Sequence, residues 1–206
     1  MPRLKKRGFC SCRNHFKMAE NLVISWQDVA GFDRFNHAVH YMTSDIRRAA
    51  SRAVNRTGDT ARTAVRRALA KQVGLKQKFI ARQLNTRKSS ADNLVYEISS
   101  TGKELPLNLF AARETTAGVS ANPFGQRRVF SGTFMKGGKF PNRHGNVFHG
   151  YVVERQGKAR FPIRVVKSGV IIPNEMVKGA SRQEFDKAVR EVLPRRVAHE
   201  LSRLGL

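Results

Sequence analysis

Apolar residues recur every three or four positions through much of the first half of the chain, which is the spacing of one face of an α-helix. The first set covers residues 33–56 and opens on Asp33, a candidate N-cap. A second set extends from Asp59 to Val73, after an interruption at Gly58. Because one internal glycine costs only about 1 kcal/mol relative to alanine, the pattern predicts either two helices or one continuous helix.

Gly74 is placed to end this region as a C′ glycine, and a short helix is expected over residues 77–84. From Asp92 onward, β-branched residues, glycine and proline become frequent, which favours strands joined by long loops. The expected strands lie at residues 94–100, 107–111, 128–135, 146–154 and 161–166. Residues 22–26 suit either a short strand or an apolar strap before the first helix. The segment KGGKFPNRHGN, residues 136–146, is expected to be an exposed loop.

Helical spacing returns at residues 181–206, where Ser181 is a candidate N-cap and Glu184 occupies the capping-box position. Pro194 is expected to bend or split this helix. The chain is therefore predicted to be an α+β protein with basic N-terminal helices, a small central antiparallel sheet and a C-terminal amphipathic helix. The expected regions are a leader 1–17, a helical region 18–92, a β-rich region 93–180 and a helix 181–206, with 18–206 forming one domain.

The leader is basic and contains both cysteines, Cys10 and Cys12, so no disulfide framework is expected. These cysteines and His15 are too closely spaced for an ordinary zinc site and lack a fourth ligand, so no metal is predicted. The leader has no apolar core like that of a secretory signal, and no apolar run reaches the ~20 residues that cross a bilayer. Translation is expected to start at either Met1 or Met18.

Positive charge is concentrated in the helical region. Lys and Arg number 39 against 15 for Asp and Glu, which gives a formal net charge of +24. Residues 47–92 hold thirteen basic and two acidic side chains, whereas residues 181–206 balance six basic with four acidic ones. A helix that needs only solubility mixes both signs, so the imbalance predicts an anionic partner. The side chains predicted to meet it are Arg47, Arg48, Arg52, Arg56, Arg62, Arg66, Arg67, Lys76, Lys78 and Arg82.

The block VRRALAKQVGLKQKFIARQL, residues 65–84, is also typical of a helix-turn-helix unit. In a sequence-specific reader, one set of side chains would face the DNA groove and another would hold phosphates. The side chains facing the groove would be Lys76, Gln77, Lys78 and Gln83. Those holding phosphates would be Arg66, Arg67 and Arg82. A helix-turn-helix regulator or a nonspecific DNA-binding protein therefore stays open as an alternative.

Catalysis has little support in the sequence. The histidines His37, His40, His144, His149 and His199 have no carboxylate pair or cysteine close by in sequence. The KGGK stretch lacks the GxxxxGK[ST] pattern of a nucleotide loop. No enzyme activity and no cofactor are predicted, and the rival hypothesis is a nuclease with a site assembled from distant histidines.

Two blocks resemble the minor tail protein Z family of tailed phages and prophages. The first, residues 53–84, is an Ala- and Arg-rich segment that ends in a Gly-Leu turn and a basic helix. The second covers residues 130–150 and 157–176, where an aromatic, glycine-rich hairpin precedes a Gly-Lys-x-Arg-hydrophobic-Pro-Ile strand. The residues that match this strand are Gly157, Lys158, Arg160, Phe161, Pro162 and Ile163.

The resemblance implies a structural role in the virion, made in the host cytoplasm, at the end of the tail that joins the head. Its implied partners are the tail tube, the tail terminator and the head-tail connector, in a closed ring of identical subunits. Genomic DNA, bound without sequence preference, would account for the basic surface, and acidic faces of the tail or connector rings would account for it equally. No membrane partner is expected.

Overall fold

The structure is a computed structural model that describes residues 19–24, 43–143, 145 and 148–205. Within these residues there are four α-helices and three antiparallel sheets of three strands each. A basic helical region precedes most of the strands and a long helix follows them, which confirms the predicted α+β fold. No helix in this described part is long and apolar enough to cross a membrane. The leader 1–17 and the predicted helical residues 33–42 lie outside it.

Helix α1 spans Ser44–Val73 without a break at Gly58, which confirms the single-helix alternative there. It begins at Ser44, after the extended Thr43, and not at Asp33 as expected. Its main buried row recurs every four residues: Ala49, Ala53, Thr57, Ala61, Val65, Leu69 and Val73. Because four residues advance about 40° beyond one full turn, this row winds around the helix. Helix α1 therefore buries a different face at each end and can support neighbours along its whole length.

The first sheet has the order β1-β3-β2, with both outer strands antiparallel to β3. Its strands are Ala19–Ile24 (β1), Leu84–Arg87 (β2) and Tyr96–Thr101 (β3). Side chains alternate between the two faces of a strand, and Leu22, Ile24, Tyr96 and Ile98 are fully buried. This apolar face of the sheet forms one wall of the hydrophobic core, and α1 packs against β3.

Gly58 lies in the middle of α1 because Tyr96 packs flat against it. A Cβ at this position would lie 2.5 Å from three atoms of the Tyr96 ring. The Tyr96 hydroxyl donates a hydrogen bond of 2.9 Å to Oδ1 of Asp59, and Lys88 Nζ lies 3.1 Å from Oδ2. Gly58 and Asp59, which suggested a helix break, are therefore the place where Tyr96 of the sheet packs against α1.

Gly74 ends α1 in the left-handed conformation, with φ 80°, and its backbone N–H donates to Ala70 O. This confirms the predicted C′ glycine, and helix α2 follows at Gln77–Gln83, one residue shorter than expected. A Cβ on Gly74 would lie 2.8 Å from Asn122 O and Gly125 N. The turn is thus fitted against a distant loop of this chain, which explains the glycine without DNA binding.

Two further sheets follow, with orders β4-β5-β6 and β7-β8-β9. Their strands are Arg113–Thr115 (β4), Gly118–Ala121 (β5), Arg128–Ser131 (β6), Thr133–Phe134 (β7), Val153–Arg155 (β8) and Ile163–Val165 (β9). The single central sheet expected from sequence is therefore three small sheets. All their pairings are antiparallel, as predicted.

The predicted strand positions are right in some places and wrong in others. The strands expected at 94–100 and 161–166 occur as β3 and β9, and that at 128–135 occurs as β6 and β7. The strand expected at 107–111 is instead a 3₁₀ turn, Leu107–Leu109, whose Leu107 side chain is buried. The Phe110 N–H donates to Leu107 O, so the backbone here closes into a turn instead of extending as a strand. Of the strand expected at 146–154, the described residues 148–152 are not in a strand, and Val153 and Glu154 belong to β8.

The chain ends in helices α3, Ile172–Met176, and α4, Gly179–Ser202. Helix α4 begins two residues before Ser181, so the predicted N-cap is wrong. The Ser181 hydroxyl instead lies 3.2 Å from Oε1 of Gln72 on α1. At the other end of α4, Glu200 contacts Arg52, so α4 runs antiparallel along α1. The helix also continues through Pro194, so the predicted split does not occur.

Replacing Pro194 with alanine should raise the free energy of unfolding by about 1 kcal/mol. Proline lacks the N–H that would bond the carbonyl one turn earlier, and alanine supplies it, while the freer unfolded chain offsets part of the gain. Pro194 is exposed, so no core contact is lost. The measurement is urea unfolding, with the exposed neighbour Arg195→Ala as control. A lower stability for Pro194→Ala would contradict the expectation.

Candidate polyanion interface

The predicted basic side chains lie on two consecutive helices. Seven arginines belong to α1, Lys78 and Arg82 belong to α2, and Lys76 is the residue just before α2. The exposed members are Arg48, Arg52, Arg56, Arg67, Lys76, Lys78 and Arg82, and the half-buried members are Arg47, Arg62 and Arg66. We call these residues of the two helices the basic strip.

The strip is not a single straight face. Arg48, Arg52 and Arg56 follow one another at steps of four, so they form one row along α1. Arg47 is nine residues from Arg56, which places it on the opposite side of the helix, about 180° away. Arg47 is nevertheless only about 60° around the axis from Arg62, so the arginines are spread over more than one side of α1.

Arg52 and Arg56 meet a buried acid from the other end of the chain. Arg52 Nε donates a hydrogen bond of 2.8 Å to Oε2 of Glu200, and Arg56 Nη1 lies 3.4 Å from Oε1. Arg203 Nη1, on the residue just after α4, lies 3.7 Å from Oε2. The Glu200 side chain is 1% exposed, whereas the three arginine side chains are 44%, 47% and 57% exposed. We call Arg52, Arg56 and Arg203 the arginine cluster.

The carboxylate of Glu200 is held in its charged form. Burial by itself raises the pKa of Glu200, but the hydrogen bond from Arg52 and the charges of the whole arginine cluster lower it more, so the net shift is downward. The charge at the centre of the cluster is therefore negative at neutral pH. Because one carboxylate faces three guanidinium groups, the cluster keeps an excess of two positive charges.

Polar contacts fix α1 to the segments around it. Ser51 Oγ lies 3.0 Å from Ser89 Oγ, and the Ser89 N–H donates to Asn55 Oδ1 at 2.8 Å. At the far end of α1, Gln72 Nε2 donates to Oε2 of Glu175 at 2.7 Å. These bonds join residues that lie 34 to 103 positions apart in the sequence. They hold the basic helix in a fixed orientation on the sheets.

The loop expected to be exposed at 136–146 is tied down at its described end. Glu114 on β4 accepts hydrogen bonds from the backbone N–H groups of Met135 and Lys136, and Arg143 Nη1 lies 3.0 Å from its carboxylate. Burial by itself raises the pKa of Glu114, but these donors lower it by more, so the net shift is downward and the carboxylate stays ionised. The loop is thus anchored through one acidic side chain, while Lys139 and Phe140 remain exposed.

The family-motif residues form the tip of the hairpin that joins β8 to β9. We call residues 156–162, with Gly157, Lys158, Arg160, Phe161 and Pro162, the hairpin tip; Ile163 is the first residue of β9. The loop is closed by a hydrogen bond from the Gln156 N–H to Pro162 O. Phe161 is 65% exposed, and the Arg160 guanidinium lies 5.7 Å from its ring centroid. The tip therefore presents an aromatic ring among cations.

The remaining predictions of this kind concern histidines and metals. His149 and His199 are exposed, and His37, His40 and His144 lie outside the described residues, as do Cys10, Cys12 and His15. In the described part of the chain, no group of three or more His, Cys, Asp or Glu side chains is close enough to hold a metal ion. The expected absence of a metal or active site stays a prediction.

Glu200 and Arg203 were missed in the sequence, although a signal was present. Glu200 lies three residues after Val197 and seven after Leu193, which places an acid on the apolar face of α4. A lone carboxylate at such a position needs a buried cationic partner. The sequence could have indicated a buried ion pair, but not that its partners stand on α1.

The described residues define a basic α+β protein with cations along a long helix and one exposed aromatic side chain, Phe161, at a hairpin tip. The family model described as prophage minor tail protein Z matches residues 39–204, and the chain belongs to this family. It is therefore a structural protein of a phage tail. Comparisons with curated proteins and with solved structures give no match.

Proposed function

We propose that the chain completes the tail at the end that joins the head, using α1 and α2 to face DNA and the hairpin tip to contact neighbouring proteins. Membership in a family of phage tail proteins supports a place in the virion among other tail and head components. The position at the head-proximal end and the division between two surfaces are the proposed parts. Closed ring symmetry fits a tail, whose components surround a channel.

The observation that carries the proposal is the difference between the two surfaces. The large hydrophobic side chains exposed in the described residues are Val23, Leu109, Val129, Phe140, Tyr151, Phe161, Val165 and Leu204, and none lies on α1 or α2. Protein interfaces have an apolar centre, whereas surfaces that bind the DNA backbone are polar and positive. The basic helices therefore suit phosphates, and the hairpin tip suits a protein partner.

The geometry supports a helix-turn-helix DNA reader less well than the tail role. Lys76, Gln77 and Lys78 are exposed, but Gln83 is half-buried and α2 has only seven residues. Helix α2 also leads directly into β2, which is paired with β3. A regulator would prefer one duplex sequence by about a thousandfold or more, whereas a tail protein should bind all duplexes alike. Competition between duplexes of different sequence separates the two functions.

The experiment is complementation of a phage from which the gene has been deleted. Changing Arg48, Arg67, Lys76 and Lys78 together to glutamine should lower the yield of infectious particles by about tenfold or more, because each lost cation removes a phosphate contact. The matched control changes Lys103, Lys187, Arg190 and Arg195, four exposed cations elsewhere, and should change the yield by about twofold or less. All eight positions are exposed, so both variants should fold.

The same phage tests the position and the hairpin. Gold-labelled antibody should mark the chain at the head-proximal end of the tail, and a label at the tail tip would overturn the proposed position. Phe161→Ser should leave the melting temperature unchanged and leave tails unjoined to heads. Val129→Ser, which changes another exposed apolar side chain on β6, should join normally. Normal joining by both sets of charge variants would end the proposed role of the helices.

A further inference from the structure

We infer that the arginine cluster, held in place by Glu200, is a clamp for one phosphodiester group of duplex DNA. The inference rests on the proposed function and names the place where the basic surface makes its strongest contact. Arg52 and Arg56 were predicted as part of that surface, whereas Arg203 and Glu200 come from the other end of the chain. The site exists only because α4 lies antiparallel along α1.

The clamp has hydrogen-bond donors to spare. A guanidinium group carries five N–H donors in a planar fork. Only Arg52 donates a hydrogen bond to Glu200, while Arg56 and Arg203 approach the carboxylate at ion-pair distances of 3.4 and 3.7 Å. Glu200 is buried, whereas about half of each arginine side chain is open to solvent. Donors are left for an oxyanion that approaches from outside.

Charge and preorganisation point to the same ligand. The cluster has three positive charges and one negative charge, so an added phosphate is attracted and brings it closer to neutrality. Glu200 also holds the flexible side chains near one another, which lowers the entropy lost on binding. Arg48, the next residue in the α1 row, pairs with Asp45 at 3.9 Å and lacks such a buried anchor. The clamp should therefore bind more strongly than the basic side chains around it.

Phosphate is favoured over the carboxylates of an acidic protein. Helix α1 exposes no large hydrophobic side chain in the part that the structure describes, and Thr60 and Thr63 beside the arginines bond back to carbonyls of their own helix. A protein partner would need an apolar centre, which this surface lacks. A planar fork with several donors matches phosphate oxygens well. An acidic protein remains the competing outcome of the test.

The test is fluorescence anisotropy of the full chain with a labelled 30-base-pair duplex of mixed sequence, repeated over a range of salt concentrations. Arg203→Gln and Arg56→Gln should each weaken binding about tenfold, because a charge-assisted contact is lost. Arg67→Gln, the control on the same helix with the same loss of charge, should weaken it about threefold or less. Equal losses for the cluster and the control would overturn the clamp.

Glu200→Gln separates a clamp from a diffuse positive field. The change removes one negative charge and raises the net charge by one, so a diffuse field predicts tighter binding. The clamp predicts binding weaker by about fivefold, because the arginines lose their anchor. Circular dichroism checks that the variant is folded. If it is not, the comparison of Arg203→Gln with Arg67→Gln decides alone.

The outcomes also separate the clamp from the proposed function. Wild-type protein that binds DNA with a steep salt dependence, while all variants behave alike, removes the clamp and leaves the basic surface. Wild-type protein that binds polyglutamate and not DNA overturns the clamp and the DNA contact. Virions that still carry the chain at the head-proximal end would then keep the tail role.

Discussion

Gly58→Ala should destabilise the protein by about 3 kcal/mol, although the same change in an ordinary helix stabilises by about 1 kcal/mol. The new methyl group would lie 2.5 Å from three atoms of the Tyr96 ring, which is fully buried and hydrogen-bonded to Asp59. Burial and that hydrogen bond also raise the pKa of Tyr96 well above its usual range, as expected of a phenol fixed inside the fold. Urea unfolding followed by circular dichroism measures the loss.

Two further variants identify the cause of that loss. Gly102→Ala, at a glycine with no atom near the position of an added Cβ, should leave stability unchanged. In a Tyr96→Ala background, which is itself destabilised, Gly58→Ala should become stabilising by about 1 kcal/mol because the clash is gone and the helix preference remains. The expectation fails if Gly58→Ala destabilises equally with and without the Tyr96 ring.

Glu200→Gln should lower the free energy of unfolding at neutral pH by about 2 kcal/mol. The carboxylate is buried and faces three guanidinium groups, and an amide cannot replace its charge. The arginines are half-exposed and can be rehydrated, which keeps the loss below that for a fully buried partner. The measurement is urea unfolding at pH 7, with Glu184→Gln, an exposed acid on the same helix, as control.

The same variant should also change the pH dependence. The pKa of Glu200 is lower in the folded protein than in the unfolded chain, so its stabilisation is present above the unfolded pKa and is lost as the pH falls through the folded pKa. Wild-type stability should therefore decrease on acidification below about pH 4.5, the ordinary value of a glutamate. Glu200→Gln should make this decrease less steep, because the titrating carboxylate is gone. Part of the decrease should remain, because the pKa of Glu114 is also lowered in the folded protein. An unchanged slope would show that the ion cluster does not stabilise the fold.

The elements that sequence predicted well are those whose signals are local. The four-residue spacing of α1, the glycine that ends it and the alternation in β3 depend on the conformational preferences of neighbouring residues. The strand expected at 107–111 failed because the same apolar residues suit a strand or a buried turn, and only the surrounding core selects one. Ser181 failed as an N-cap because Gln72, 109 residues away, binds its hydroxyl.

The candidate site shows the same division. The excess of cations in residues 47–92 is a property of composition, so their concentration on α1 and α2 could be predicted. That Arg52 and Arg56 share a buried acid could not, because Glu200 is 148 residues from Arg52 in the chain. The lone acid on the apolar face of α4 indicated a buried partner, and the docking of α4 on α1 supplied it.

By itself, the sequence determined the charge, the long helix and the family, because each is written in local patterns of residue type. Only the tertiary structure decided that Gly58 receives an aromatic ring instead of breaking the helix, and that three arginines gather around one carboxylate. The physical reason is that close packing and buried charge depend on residues far apart in the chain. Their free energies are set by the neighbours that folding brings together.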